Sequence, residues 1–461
     1  MEKNLYDYII VGGGIGGCSI ASKLSKKYYT LLLEKEPYLG GCSGTFTRKD
    51  VSYNIGATTF ATYQEGLPVY EFFKEFDLKL NLKLSNPAIT VLIGNKTIHR
   101  YKELDRFIDE INLSFYHKNN RFFWEKVKEV SDLFYKKQTF YYDKQSLFKT
   151  FYNMAKSIIP FSAYFLLPAR FGLNLFLPNI SKEYLDFIEN QILIVAQAKI
   201  EEINFLTLIL SLGYCLYDNY YAIGGMGKIF DEISKHIQNI ELNQNVIDIT
   251  KHNKSYQITT KKGFVYHAKN IILNKPIFKE KPKLYTDQSA FVVYLSVQSN
   301  DIFHHHYQVI HDKTFKHSIS NSIFVSISDK EDNIISPDEI YSITISTHTK
   351  VSTWENLSKL EYDIKKQELQ DEIVKLLLSY FPSFYGSIKT VFSATPQTFG
   401  RYIKRKTLGG IPLSFKNIVL NMQSPSTQKN CFYVGDTIFP AQGWPGVIMG
   451  TQNLQKVIDN G

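Results

Sequence analysis

The groups in this sequence best spaced to do chemistry belong to the backbone. Gly12, Gly13, Gly14, Ile15, Gly16 and Gly17 follow the apolar run Tyr6-Asp7-Tyr8-Ile9-Ile10-Val11 and precede a small-residue segment carrying Ala21 and Leu24. Each glycine has its own task. Gly12 allows a tight turn out of a strand, Gly14 lets the backbone approach a pyrophosphate with no Cβ in the way, and Gly17 lets the following helix lie close to the sheet. The start of that helix offers free N–H groups and the positive end of its dipole to phosphates. Glu34 lies twenty residues after Gly14 and closes a second apolar run, Leu31-Leu32-Leu33. A carboxylate there accepts hydrogen bonds from a ribose 2′-hydroxyl and repels a 2′-phosphate. The spacing therefore predicts a strand, turn, helix and strand that hold a dinucleotide other than NADP. Tyr28-Tyr29 stands before the second strand, where a smaller residue is usual, and reshapes that turn without removing the site.

Later segments bear on which dinucleotide it is. Gly40, Gly41, Cys42 and Ser43 suit a segment running back under a pyrophosphate and a flavin, and Gly56, Ala57, Thr58 and Thr59 are small enough to approach a flat ring. Near the other end, Tyr433-Val434 runs into Gly435-Asp436. A carboxylate at Asp436 suits the ribitol chain of FAD, and a closing helix that passes Gly446 and Val447 aims its N-terminus at the flavin carbonyl edge. FAD is thus the expected cofactor, held by two distant ends of the chain. No Ser-His-Asp or Cys-His arrangement competes with this reading. The four cysteines, Cys18, Cys42, Cys215 and Cys431, lack metal-ligand spacing and read as reduced, apolar side chains. His304-His305-His306 has no partner cluster and reads as a solvent-exposed loop, so no metal is expected. Gly224-Gly225-Met226-Gly227-Lys228 is not a P-loop, because Ile229 stands where Ser or Thr would bind magnesium.

On these residues the chain resembles the phytoene desaturase and carotenoid isomerase family of FAD-dependent oxidoreductases, within the flavin amine oxidase superfamily. The motifs that carry the resemblance occur in the family's order from end to end. They are Gly12 to Gly17, Glu34-Lys35, Gly40 to Gly44, Asn54 to Thr59, Tyr221 to Gly227, Ala394-Thr395-Pro396-Gln397-Thr398-Phe399, Gly409-Gly410-Ile411-Pro412 and Gly435 to Gly446. The resemblance implies that Glu34 and Lys35 belong to the cofactor site and that the backbone at Val246 meets the adenine. It also implies a long apolar isoprenoid substrate, desaturated or isomerised about its double bonds, with hydride transfer at flavin N5. Trp444 stands where the family usually carries a smaller apolar residue; with Phe439 it is a candidate for a place beside the ring. Arg401 and Tyr402 are candidates for the cavity, and no residue stands out as a general base. Two other functions compete. One is a flavin amine oxidase, with Trp444 as one wall of an aromatic cage. The other is a non-catalytic binder of the GDP-dissociation-inhibitor type, against which the intact glycine run, Glu34 and Asp436 argue. A single dinucleotide fingerprint points to an external electron acceptor such as a quinone or oxygen.

These residues need a two-part architecture to position them. The expected fold is α/β. A Rossmann-type FAD-binding domain, with a parallel sheet and a three-stranded meander, takes residues 1–65, 215–285 and 425–461. An α+β substrate-binding domain with an antiparallel sheet and a helical cap takes 66–214 and 286–424. The meander is read at 245–249, 256–260 and 264–266, with 271–274 rejoining the parallel sheet, and one long helix at 360–381. The net charge is +9, and the aromatic fraction of 15% comes from 33 Phe and 31 Tyr against 3 Trp. A basic, aromatic chain without a nucleic-acid motif favours a peripheral membrane surface. Lys126, Lys128, Lys136, Lys137, Lys144, Lys149 and Lys156, interleaved with aromatics, suit anionic headgroups. Pro160, Pro168 and Arg170 interrupt the apolar runs before they reach the ~20 residues of a membrane span. Met1-Glu2-Lys3 leads directly into the first strand and leaves no room for a signal peptide. The expected location is cytoplasmic, on the inner face of the membrane.

Overall fold

The apolar run at the start gives a strand, Leu5–Val11, whose central Ile9 and Ile10 are fully buried, as a parallel strand covered on both faces requires. The computed structural model describes residues 5–136, 146–337, 339–412, 425–438 and 443–460. Leu5–Val11 pairs in parallel with Thr30–Leu33 on one side and Val265–Leu273 on the other. The sheet continues to Ile240–Glu241 at one edge and, antiparallel, to Ser255–Thr260 and Val246–His252 at the other. Cys431–Tyr433, from the far end of the chain, adds in parallel to Val265–Leu273. The last strand of the meander and the return to the parallel sheet are therefore one continuous strand. The polar stretch His267-Ala268-Lys269-Asn270 looks like a break in the pattern, but its backbone pairs with strands on both sides.

The helices Ile15–Leu24 and Gly443–Asp459 pack together on one face of this sheet, with Cys18, Ala21, Ile448, Leu454 and Val457 in one buried cluster. Val69, Phe72 and Phe73 of the helix Pro68–Glu75 enter the same cluster, so this core extends past residue 65.

A second, seven-stranded sheet runs in the order Ile388–Ala394, Gln288–Gln298, Ile340–Lys350, Ser322–Ile327, His306–Ile310, Ile89–Ile93 and Lys96–Arg100. All its pairings are antiparallel except that of Ile89–Ile93 with His306–Ile310. The helix Lys359–Tyr380 covers it through Leu369, Ile373 and Leu377. Residues 66–214 are not helical throughout: Ile89–Ile93, a run of β-branched and apolar residues, and Lys96–Arg100 form a hairpin around the two-residue turn Gly94-Asn95. Around this hairpin the helices Leu104–Ser114, Asn120–Lys136, Lys182–Ala196 and Phe205–Gly213 enclose Phe107, Trp124, Phe187 and Leu208. Among the described residues no helix is long and apolar enough to cross a membrane.

The histidine run is a surface loop only in part. His304 is exposed in irregular chain, as expected, but His306 opens the strand His306–Ile310 with its ring buried and stacked on Phe324 at 5.7 Å. Alternation along the strand turns His306 into the interior. Among the described residues no group of three His, Cys, Asp or Glu side chains could hold a metal.

Candidate active site

The helix Ile15–Leu24 lies so close to the strand before it that a Cβ on Gly17 would fall 1.9 Å from the Gly12 carbonyl oxygen. No side chain caps this helix, and its first N–H groups are left for a ligand. Glu34 is buried at the rim of the cleft. Its Oε2 accepts from the Gly13 N–H at 2.6 Å and its Oε1 from the Glu36 N–H at 2.9 Å. A carboxylate oxygen has a second lone pair, so both remain able to accept from a ribose hydroxyl. The Gly40 N–H donates to the Gly13 carbonyl at 2.8 Å, which sets Gly41–Ser43, a single 3-10 turn, beside the glycine run. The Ala57 N–H donates to the Cys42 carbonyl at 3.0 Å and ties Gly56 and Ala57 to that turn. Burial pushes the Cys42 thiol above its ordinary range, so it is a small apolar wall.

The distant ends of the chain meet here. A Cβ on Gly16 would come 3.1 Å from the Gly435 nitrogen. Asp436 lines the cleft and is held by Arg405, whose Nη1 donates to its two carboxylate oxygens at 3.1 and 2.9 Å. Gly446 and Val447 lie in the first turns of Gly443–Asp459, and Val246 lines the cleft with Gln244 and Asn245, the Gln244 N–H donating to the Glu34 carbonyl at 2.8 Å. Ile15, Gly12 and Gly14 line the cleft as well. Lys35 reaches the rim, but its Nζ is engaged by Glu36 and the Tyr402 carbonyl. The cradle that glycine leaves open, the uncapped helix start and the two carboxylates fit a dinucleotide. Two contributors escaped the sequence reading. Asn274 ends the strand Val265–Leu273; its Nδ2 donates to the Gly12 carbonyl at 3.2 Å, and its Oδ1 lies beside Gly16 and Gly435. Arg405 lines the cleft, whereas Arg401 and Tyr402 are exposed.

The cleft is one end of a single cavity of about 680 Å³. Beyond Cys42 and Thr58 it opens into a chamber walled by Phe134, Tyr135, Leu210, Tyr214, Phe324 and Met449. Thr58 accepts from Ser326 Oγ at 2.6 Å, and Thr59 Oγ1 lies 3.4 Å from His306 Nε2. Trp444 touches the cavity, but its ring packs into the core against Phe60, Phe230 and Phe73, at 5.1, 5.7 and 6.2 Å. Phe439 lies outside the described residues.

Residues 10–76 match the NAD(P)-binding Rossmann-like domain family. Over 96% of its length the chain is 26% identical to a chloroplastic prolycopene isomerase from an Oncidium hybrid cultivar, of which it covers 82%. It is 25% identical to the chloroplastic prolycopene isomerase of Arabidopsis thaliana, over 96% of this chain and 80% of that protein. Among solved structures it is similar to putrescine oxidase bound to putrescine, at a TM-score of 0.65, 13% identity and 99% coverage of both chains. Cyclohexylamine oxidase from Brevibacterium oxydans is similar at 0.60, with 12% identity and 99% coverage of both. The likeness to the two oxidases is one of fold. The resemblance to the prolycopene isomerases holds along nearly the whole chain, and the protein is an enzyme of the oxidoreductase or isomerase type built on a dinucleotide-binding fold.

Proposed function

We propose that this enzyme binds FAD and isomerises the double bonds of a long apolar isoprenoid of the carotenoid class. One observation carries the proposal: a single cavity joins the glycine cradle to a chamber walled by aromatic and aliphatic side chains. Bound FAD would supply hydride chemistry at a carbon centre, for which no metal or protein nucleophile is needed. Gly12 to Gly17 and the first N–H groups of Ile15–Leu24 would hold its pyrophosphate, Glu34 the adenosine ribose, Asp436 the ribitol and Val246 the adenine edge. The small residues Gly56 to Thr59, beside Cys42, leave room for a flat ring. The chamber's task is to orient the polyene and exclude water. Its aromatic faces favour any positive charge that develops on the chain.

The prolycopene isomerase relatives favour isomerisation over net desaturation. Desaturation needs an external acceptor such as a quinone or oxygen; isomerisation does not. The apolar substrate has its counterpart on the surface. Phe148, Phe151, Ile159 and Leu175 are 80%, 73%, 67% and 58% exposed on the helices Leu147–Ile158, the turn after it and Ala169–Phe176, with Lys149 and Lys156 among them. This face suits a peripheral stay on an anionic membrane, from which such a substrate is drawn.

The test is to incubate holoprotein, with its flavin chemically reduced and oxygen excluded, with a poly-cis carotenoid and to separate the products. An all-trans product of unchanged mass supports isomerisation. A product two hydrogens lighter, formed only with oxidised flavin and an acceptor, assigns a desaturase instead. Protein that takes up no FAD overturns both.

A further inference from the structure

The cleft that fits a dinucleotide is rich in negative charge. Glu34 and Asp436 line it, and a dinucleotide brings a pyrophosphate as well. Among the described residues Lys35, Lys275, Lys404 and Arg405 are the lysines and arginines along the cavity. The three lysines are turned to other tasks. Lys35 Nζ is held by Glu36 and the Tyr402 carbonyl, Lys275 Nζ by Glu280 at 2.8 Å, and Lys404 is exposed. Arg405 differs, because its counter-charge, Asp436, itself lines the cleft. The Arg405 side chain is 13% exposed and that of Asp436 23%, so water screens the pair little. Arg405 Nη1 donates to both Asp436 oxygens, its Nε to the Thr407 carbonyl at 2.7 Å and its Nη2 to the Gly409 carbonyl at 3.0 Å. Each Asp436 oxygen accepts once from Arg405 and keeps a lone pair for another donor. The Cys42 thiol feels both charges, which sets the pair against the turn that follows the glycine run.

Asp436 is thus not a bare carboxylate but half of an ion pair. Unpaired at this depth, it would oppose the arrival of a polyanion; paired with a guanidinium it keeps its acceptors and loses its net charge. We infer that Arg405 is a positioning residue for the cofactor: it cancels the charge of Asp436, so that this carboxylate can meet uncharged ribitol hydroxyls in a cleft that also admits the FAD pyrophosphate. The inference rests on the FAD reading and assigns part of the cofactor's affinity to a residue outside the glycine cradle.

The test is to titrate the full-length protein, freed of flavin, with FAD and to follow flavin fluorescence. Arg405→Met is expected to weaken FAD binding at least about fiftyfold, because it strands Asp436 as an unpaired charge. Arg405→Met/Asp436→Asn is expected to bind FAD at least about fivefold more tightly than Arg405→Met alone, because the second change removes the stranded charge. Arg405→Lys keeps the charge without the planar fork and is expected to stay within about tenfold of the wild type. If Arg405 served only to tie down the Thr407 and Gly409 carbonyls, the second change would bring no recovery and lysine would do no better than methionine. Either result overturns the inference, as does an Arg405→Met protein that binds FAD within about threefold of the wild type. Should Arg405→Met not fold, Arg405→Lys decides alone by the same tenfold limit. A wild-type protein that takes up no FAD overturns the FAD reading as well.

Discussion

The glycine cradle and the chamber beside it share one cavity but are built in opposite ways. The cradle is made of backbone. Its geometry comes from absent side chains, and its polar groups are N–H groups at a helix start and a carboxylate held by the Gly13 and Glu36 N–H groups. The chamber is made of side chains delivered by segments far apart in sequence, from Phe134 to Met449. A backbone site tolerates almost no substitution because its neighbours cannot move aside. A side-chain site tolerates volume-conserving exchange and tunes which substrate fits.

The largest effect that would test this contrast is at Gly17. In Gly17→Val the added carbons meet the Gly12 carbonyl, a backbone atom with nowhere to go. The purified variant is expected to carry no flavin and to be destabilised by about 3 kcal/mol or more, through displacement of the helix Ile15–Leu24. Visible absorbance and urea unfolding check both. A yellow, stable variant would mean that the cradle is not rigid.

On the chamber side the matching probe is Arg100, fully buried in the helical region. It donates to Gln191 Oε1 at 2.6 Å and the Leu212 carbonyl at 2.7 Å, and it lies over the Phe107 and Trp124 rings at 4.6 and 5.4 Å. Burial pulls its pKa below the usual arginine range. Arg100→Ala removes packing and both donors, with an expected cost of about 2–4 kcal/mol in urea unfolding. Arg100→Met restores the volume and should recover part of it. Flavin content is expected to stay full in both, because the cradle is a separate construction. Loss of flavin from Arg100→Met would join the two regions and end the contrast.

The same division explains what could be read from the sequence. The turn, the acid twenty residues on and the Gly-Asp near the end were legible because each is a local constraint on backbone, written in a few adjacent residues. The helix Lys359–Tyr380 was legible, within a residue at each end, as one long segment, and the structure adds its Ser358 cap. The hairpin at Gly94-Asn95 had its local signal, but its membership of the second sheet depends on His306–Ile310, more than 200 residues away. Asn274 and Arg405 look like an ordinary strand end and an ordinary basic residue; only the folded chain sets them beside Gly16 and Asp436. His306 was misread for the same reason: three adjacent histidines resemble a polar loop until strand alternation buries one of them.

His306 also gives the smallest and most graded test. Its ring is buried, stacked on Phe324, and shares hydrogen bonds with Ser326 at 3.1 Å and Thr59 at 3.4 Å. Burial, and then the nearby His305, lower its pKa to about 3, against 6.5 for the free side chain. Between those two values the unfolded chain binds the proton and the folded chain does not, so stability is full above pH 6.5 and falls as the pH drops toward 3. The slope from this one group is about 1 kcal/mol per pH unit. His348, held neutral by the same cause, adds to it. His306→Gln, which cannot titrate, is expected to start less stable at pH 7.5 by about 1–2 kcal/mol, through its disturbed bonds to Ser326 and Thr59. It should then lose stability more slowly than the wild type from pH 6.5 to 4.5. Urea midpoints at four pH values measure both slopes. Parallel slopes would show that acid sensitivity lies outside the chamber wall, and the division of labour drawn here would lose its chemical half.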